Sequence, residues 1–167
     1  AYDTALATRN TTPYTTIAAI QTIIDTVNAN AVNTDITTLV NNADTAVQAA
    51  ETDPTGLVGG PGTETKVAVA QIEIDKLPTE IPDAVATALN VNVTVKADLQ
   101  ERLDAVKVVV PVLEATNQIE LLAALQNKAF DRVNEDLIAT YESDLDGSQK
   151  TVVAIQGAID AANLTAA

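Results

Sequence analysis

Thr16-Ile17-Ala18-Ala19-Ile20-Gln21-Thr22-Ile23-Ile24-Asp25-Thr26-Val27-Asn28-Ala29-Asn30-Ala31 is the stretch that decides the fold. Ile17, Ile20, Ile24 and Val27 recur at steps of three and four, which sets them on one face of a helix. Thr12 and Pro13 just upstream read as N-cap and first helical residue, so a helix is expected over 14–30.

The same stretch returns 135 residues later, without a gap, as Thr151-Val152-Val153-Ala154-Ile155-Gln156-Gly157-Ala158-Ile159-Asp160-Ala161-Ala162-Asn163-Leu164-Thr165-Ala166. Thr, Ala, Ile, Gln, Ile, Asp, Asn and Ala recur identically at 16/151, 19/154, 20/155, 21/156, 24/159, 25/160, 28/163 and 31/166. A buried face alone dictates the isoleucines but not the Gln, Asp and Asn, so the likeness points to duplication. Upstream, Ala1-Tyr2-Asp3-Thr4-Ala5-Leu6 is similar to Thr140-Tyr141-Glu142-Ser143-Asp144-Leu145, with about four extra residues in the first copy near Asn10 to Pro13. Residues 1–13 then end a preceding unit, 14–150 form one unit with a loop at 52–63 inside it, and 151–167 begin the next. A helix shared across each junction would make such an array extended, with each unit touching mainly its neighbours. It follows that 17–28 and 152–163 should be helices in equivalent packing, and that the termini should lie at opposite ends of an elongated body. A strand at either place, or unlike packing of the two helices, makes the tandem-array reading wrong.

Working outward, the remaining pattern is helical. A second helix is expected over 35–51, capped by Asn33 or Thr34, with Ile36, Leu39, Val40, Ala43 and Val47 in phase. Asp53 to Gly62 is a loop holding four of the six glycines. It lacks the GK[ST] ending and the preceding strand of a phosphate-binding loop, so a surface connection is expected. A third helix runs over 64–77 on Val67, Ala70, Ile74 and Leu77, and Pro78 stops it. A short helix from Pro82 to Leu89 follows, then Val91 to Val95 as an extended connection, since a lone strand has no partner. The next helix covers 96–110, with Leu99, Leu103, Val106 and Val110, and Pro111 kinks or ends it. Asn117 and Glu120 have capping-box spacing ahead of Ile119, Leu122 and Leu125. Helices over 129–145, on Phe130, Val133, Leu137, Tyr141 and Leu145, and over 149–163 complete the chain, with a break at Gly147. The expected fold is all-α: six or seven helices in elongated antiparallel, three-helix-type bundles in series.

Composition excludes most chemistry. The 167 residues include no Cys, Met, Trp or His, and 9 basic against 23 acidic side chains give a net charge of −14. Zinc, haem, copper and iron–sulfur sites of the usual kind lack their ligands, as do Ser–His and Cys–His nucleophile pairs. The charge repels nucleic acid and anionic membranes, and no apolar run reaches the roughly 18–20 residues of a membrane span. Ala1 and the absence of a signal segment fit a processed or excerpted extracellular chain, in which loss of Cys and Met removes oxidisable side chains.

Several segments resemble the helical tandem repeats of Gram-positive cell-surface and S-layer-associated proteins. They are Tyr14 to Asn28, Ala43 to Glu51, Ile74 to Pro78, Ala97 to Val106, and Leu121 to Asn127 followed by Arg132-Val133-Asn134. The acidic, Ala-, Thr- and Val-rich composition is similar too. The resemblance implies three-helix units used as spacers, in some members as binding modules, and carries over no catalytic, cofactor or metal residue. The expected role is a non-catalytic stalk or lattice element of a secreted, wall-associated protein. Its partners would be copies of itself, neighbouring repeats or a cell-wall or surface protein, with no nucleic acid and no membrane insertion. The alternative is an adhesive module for a host or cell-surface protein, which predicts an exposed apolar face.

Weaker candidates remain. Glu142 to Gly147 looks like the opening of a Ca²⁺ loop, but positions nine and twelve are Lys150 and Val153, so a solvated helix end is the better reading. Carboxylates gather near Arg132 (Asp131, Glu135, Asp136) and near Arg102 (Glu101, Asp104), as on any wet helix face. Asn10, Asn92 and Asn163 begin glycosylation-type triplets. Tyr2, Tyr14, Phe130 and Tyr141 are expected as packing anchors with, for the tyrosines, polar tips.

Overall fold

A computed structural model describes residues 17–58 and 64–166. The expectations for residues 1–13, for Tyr14, for Gly59 to Gly62 and for the placing of the termini lie outside the described residues. Among the described residues the chain is all-α. Its helices are α1 (Ile17–Thr52), α2 (Lys66–Asp75), α3 (Asp83–Leu89), α4 (Val95–Glu114), α5 (Gln118–Leu125), α6 (Ile138–Asp144) and α7 (Val152–Thr165), and a 3₁₀ turn, Glu135–Leu137, precedes α6. No described helix is long and apolar enough to cross a membrane.

Two hydrophobic cores form, and α4 belongs to both. The first gathers Val40, Ala43 and Val47 of α1, Ala70 and Ile74 of α2, Val85 of α3, and Val95, Leu99, Leu103 and Val106 of α4. The second gathers Val109 and Val112 of α4, Leu121 and Leu125 of α5, Phe130, Tyr141 of α6, and Ile155, Ile159 and Ala162 of α7. The expected bundles in series are therefore present as two small cores strung on one helix. Small aliphatic side chains let the helices approach closely, and each fully buried Val, Leu or Ile contributes roughly 1.5–3 kcal/mol.

The expected break at Asn33-Thr34 is absent, and α1 is a single helix of 36 residues, about 54 Å long at 1.5 Å per residue. Thr34 does not cap: its hydroxyl donates to the Asn30 carbonyl at 2.9 Å. Thr22, Thr26, Thr37 and Thr38 bond back four residues in the same way. Hydroxyls satisfied inside the helix offer the backbone no alternative to it. Only Val40, Ala43, Val47 and Ala50 of α1 are buried, all in its C-terminal half.

Pro111 does not end α4, which continues to Glu114. A helical proline costs about 3 kcal/mol; burial of Val109 and Val112 on either side of it offsets that cost. The helix expected over 129–145 is reduced to α6 and its 3₁₀ turn. Asn127 folds the chain back by accepting the Ala129 N–H at 3.1 Å, and Asn134 accepts that of Asp136 at 3.1 Å. Arg132 between them is left-handed, with φ of 58°. In α5 Leu125 of the expected stripe is buried, but its partner is Leu121 rather than Leu122, and Ile119 is 83 % exposed. QIELLAAL carries two overlapping apolar stripes, and α4 takes the one through Leu121.

Val91 to Thr94 forms the connection expected after α3, while Val95, expected to end it, is the first residue of α4. Asn90 ends α3 at φ 53°, and the Ile81 N–H donates to the Val93 carbonyl at 2.9 Å.

Candidate functional site

The side chains shared by the two sequence copies find their use in α7. Gln156 brackets the backbone of Asp131: its Oε1 accepts the Asp131 N–H at 2.8 Å and its Nε2 donates to the Asp131 carbonyl at 3.1 Å. Asp160 accepts from Arg132 at 2.9 Å. Asn163 donates to the Arg132 carbonyl at 2.8 Å and accepts from the Tyr141 hydroxyl at 2.7 Å. That hydroxyl in turn accepts the Asn134 N–H at 3.1 Å. One face of α7 thus clamps the 130–134 loop with polar groups, while Ile155 and Ile159 beside them are fully buried. Holding Arg132 left-handed costs roughly 1–2 kcal/mol, and bonds to the Asp131 and Arg132 backbone stabilise it there.

On α1 the apolar part of the equivalent face is only partly covered, with Ile17 and Ile20 exposed and Ile24 and Val27 half-buried. Both copies are helices, and the internal Gln–Asp bond recurs, at 2.8 Å for Gln21–Asp25 and 2.9 Å for Gln156–Asp160. Their packing differs, contrary to the expectation of equivalence, and by the criterion set for it this outcome goes against the tandem array within the described residues. Ile17 is 88 % and Ile20 42 % exposed, and no residue of α1 before Val40 is buried. The physical reason is that a loop and a tyrosine cover α7, whereas among the described residues no tyrosine-bearing loop packs against the first half of α1.

A second polar network locks the first bundle. The Arg102 guanidinium forks onto Glu51, Nε at 2.9 Å and an Nη at 2.7 Å, and its other Nη reaches Asp44 at 2.7 Å. Hydrogen bonding to Glu51, opposed by partial burial and reinforced by Asp44, pushes its pKa up. Gln71 of α2 and Gln100 of α4 exchange amide bonds at 2.9 and 3.1 Å, and Lys107 joins them at 2.7 Å. Lys150 donates to the Thr52 carbonyl at 3.0 Å, which brings the approach to α7 within one lysine's reach of the end of α1.

The carboxylate groups anticipated from sequence are dispersed into such pairs. Arg132 bonds Asp160 rather than Asp131, Glu135 accepts from Gln126 at 3.1 Å, and Asp104 is shared by Gln100 and Lys107. Glu142, at the head of the Ca²⁺-loop-like segment, accepts from Gln118 at 2.8 Å, and Asp146 accepts the Ser148 N–H at 2.9 Å. Hydrogen bonds from Ser148 hold the Asp146 carboxyl below its ordinary pKa. Among the described residues no three carboxylates are grouped to hold a metal ion. Asn163, which begins a glycosylation-type triplet, has its amide nitrogen engaged by Arg132. An open groove of about 1170 Å³ lies between α1, α3 and α4. Of its carboxylates Asp44 is committed to Arg102 and Gln48, and Asp98 to Asn92.

Tyr141, Asn163, Asp160 and Gln156 stand out in the sequence, but what they grip does not, because Phe130, Val133, Leu137 and Tyr141 keep helical spacing through the 130–134 loop. The Asn127–Asn134 spacing was the available signal. Comparison of the chain with protein families, curated proteins and solved structures found no match.

Proposed function

We propose that the chain is a non-catalytic structural repeat of a secreted bacterial surface protein, a stalk or lattice element. The observation that carries this is the pair of cores strung on α4. A core that shares a helix with the next transmits orientation without a flexible linker, which is what a spacer requires. An acidic surface with a net charge of −14 suits a hydrated, self-repelling material. The likeness to Gram-positive surface repeats supports the location, and no cofactor enters the reading; Ca²⁺ bridging between acidic faces is one route by which copies could assemble.

Chains of one, two and three copies joined at the 135-residue offset test it by small-angle scattering. The maximum dimension should rise by a constant increment per copy; collapse to a globule would sink the spacer. Surface biotinylation of intact cells of the source bacterium should label the parent protein, and labelling only after lysis would remove the surface assignment. Addition of EDTA with no loss of assembly would remove the Ca²⁺ route.

The exposed apolar face of α1 favours a second reading, an adhesive module, which predicts such a patch. Against it, α1 holds no aromatic residue, and binding hot spots are enriched in Trp, Tyr and Arg.

A further inference from the structure

We infer that the exposed N-terminal half of α1 is a docking face for a second copy of this chain's own 121–145 module, carried by the preceding repeat of the same polypeptide. The inference rests on the spacer reading and names the contact that would join its links.

The template for the contact is inside the molecule. In α7, Ile155 and Ile159 enter the second core, Gln156 brackets the Asp131 backbone, Asp160 holds Arg132, and Asn163 meets Tyr141. At the same spacings α1 carries Ile20 and Ile24, Gln21, Asp25 and Asn28. Gln21 and Asp25 already adopt the mutual bond that Gln156 and Asp160 adopt when docked. The Gln–Asp bond also closes turns elsewhere, at Gln71–Asp75 and Gln100–Asp104, but only in α1 and α7 is the pair followed three residues on by Asn, in phase with the isoleucines. Shape and polar code together select the module over an unrelated apolar partner.

The division of α1 fits the same geometry. Its buried residues begin at Val40, so the first half contributes no buried residue to either core, while the second half builds the first bundle. One helix would close the core of the preceding copy with its first half and open its own core with its second. This repeats between copies what α4 does within one, where Val106 lies in the first core and Val109 in the second.

A two-copy chain in which residues 1–150 run directly into residues 16–167 tests the assignment. Hydrogen exchange is read at the Asp131 amide of each copy, since that N–H is held by Gln156 in the single chain. If α1 of the second copy docks, both Asp131 amides are protected to a similar degree. Substituting Ile20→Asp and Ile24→Asp in the second copy then abolishes protection in the first copy only, as Ile155→Asp with Ile159→Asp does in the single chain. Protection of one Asp131 amide alone, or indifference to the α1 substitutions, overturns the inference. The scattering series is read separately: constant increments with an unprotected first-copy amide would leave the spacer standing and remove this contact.

Discussion

The Tyr141 hydroxyl donates to Asn163 at 2.7 Å across the α6–α7 interface, with the tyrosine 1 % exposed. The same oxygen accepts the Asn134 N–H, so one atom ties α7, α6 and the loop between α5 and α6. Tyr141→Phe keeps the ring and strands two polar partners; it should cost about 1–3 kcal/mol. Asn163→Ala should cost a similar amount. Because the two share one bond, the double variant should be less destabilised than the sum. Urea unfolding of the four proteins checks this, and additive losses would show that the bond contributes nothing of its own.

The two sequence copies should respond oppositely to truncation. Ile155→Ala empties a fully buried site and should cost about 2–5 kcal/mol. Ile20, its counterpart in the other copy, is 42 % exposed, and Ile20→Ala in the single chain should stay within about 0.5 kcal/mol. Thermal melts of the two variants measure the contrast. Equal losses would mean that the α1 face is covered in solution.

What could be read from the sequence divides along a physical line. The helix stripes of α1 after Val40, of α2, of α4 and of α7 were legible, because burial repeats at the helical period and Val40, Ala70, Leu103 and Ile155 obey it. The ends were less so. Thr34 and Asn33 look like caps by residue type, yet a threonine that bonds back to Asn30 is equally content inside a helix. Pro111 looks like a stop, and only the burial of Val109 and Val112 outweighs it. The clamp was legible as a repeat but not as a contact. The recurrence of Gln, Asp and Asn signals a demand, and the left-handed turn at Arg132 that makes the demand leaves no strong mark in Arg-Val-Asn.

Glu120 supplies a pH-dependent helix start. Its carboxylate accepts the N–H and the hydroxyl of Thr116, both at 2.8 Å, while Asn117 accepts the Glu120 N–H at 3.0 Å. The expected capping box is thus present with its return bond one residue earlier, at Thr116. Hydrogen bonds from the Thr116 backbone, then from its hydroxyl, lower the Glu120 pKa from the ordinary 4.5. A lowered carboxylate stabilises the fold fully above its unfolded value, and that contribution is lost as pH falls through the folded value. NMR titration should place the Glu120 midpoint below 4.5. In Glu120→Gln the acid-side loss of α5 amide protection should shrink.

Two glycines should behave in opposite ways. A Cβ at Gly56 would meet the Asp53 carboxylate at 2.1 Å and Lys66 Cε at 2.9 Å, splitting an ion pair of 2.8 Å. Gly56→Ala should therefore lower the melting temperature. At Gly157, within α7, a Cβ meets nothing within 4 Å. Gly157→Ala should stabilise the chain by about 0.4–1 kcal/mol by reducing the freedom of the unfolded state. Calorimetric scans of both variants decide the matter; a loss at Gly157 would reveal a partner on that face.

Pro111 stands where the two cores meet, on the exposed side of α4 between the buried Val109 and Val112. It has no N–H to give the Lys107 carbonyl, so the ladder of the shared helix lacks a bond at the joint itself. Alanine restores that bond and removes the ring, a gain of about 3 kcal/mol in an ideal helix. Loss of proline's restraint on the unfolded chain returns roughly 0.4–1 kcal/mol of it. Relaxation already present around the ring takes more, which leaves an expected net gain of about 1–2 kcal/mol. The gain should fall on the coupling between the bundles. In Pro111→Ala, amides from Lys107 to Leu113 should exchange more slowly, and the two cores should unfold over a narrower range of urea. A variant that loses stability instead would mean that the ring itself is a packing element of the joint.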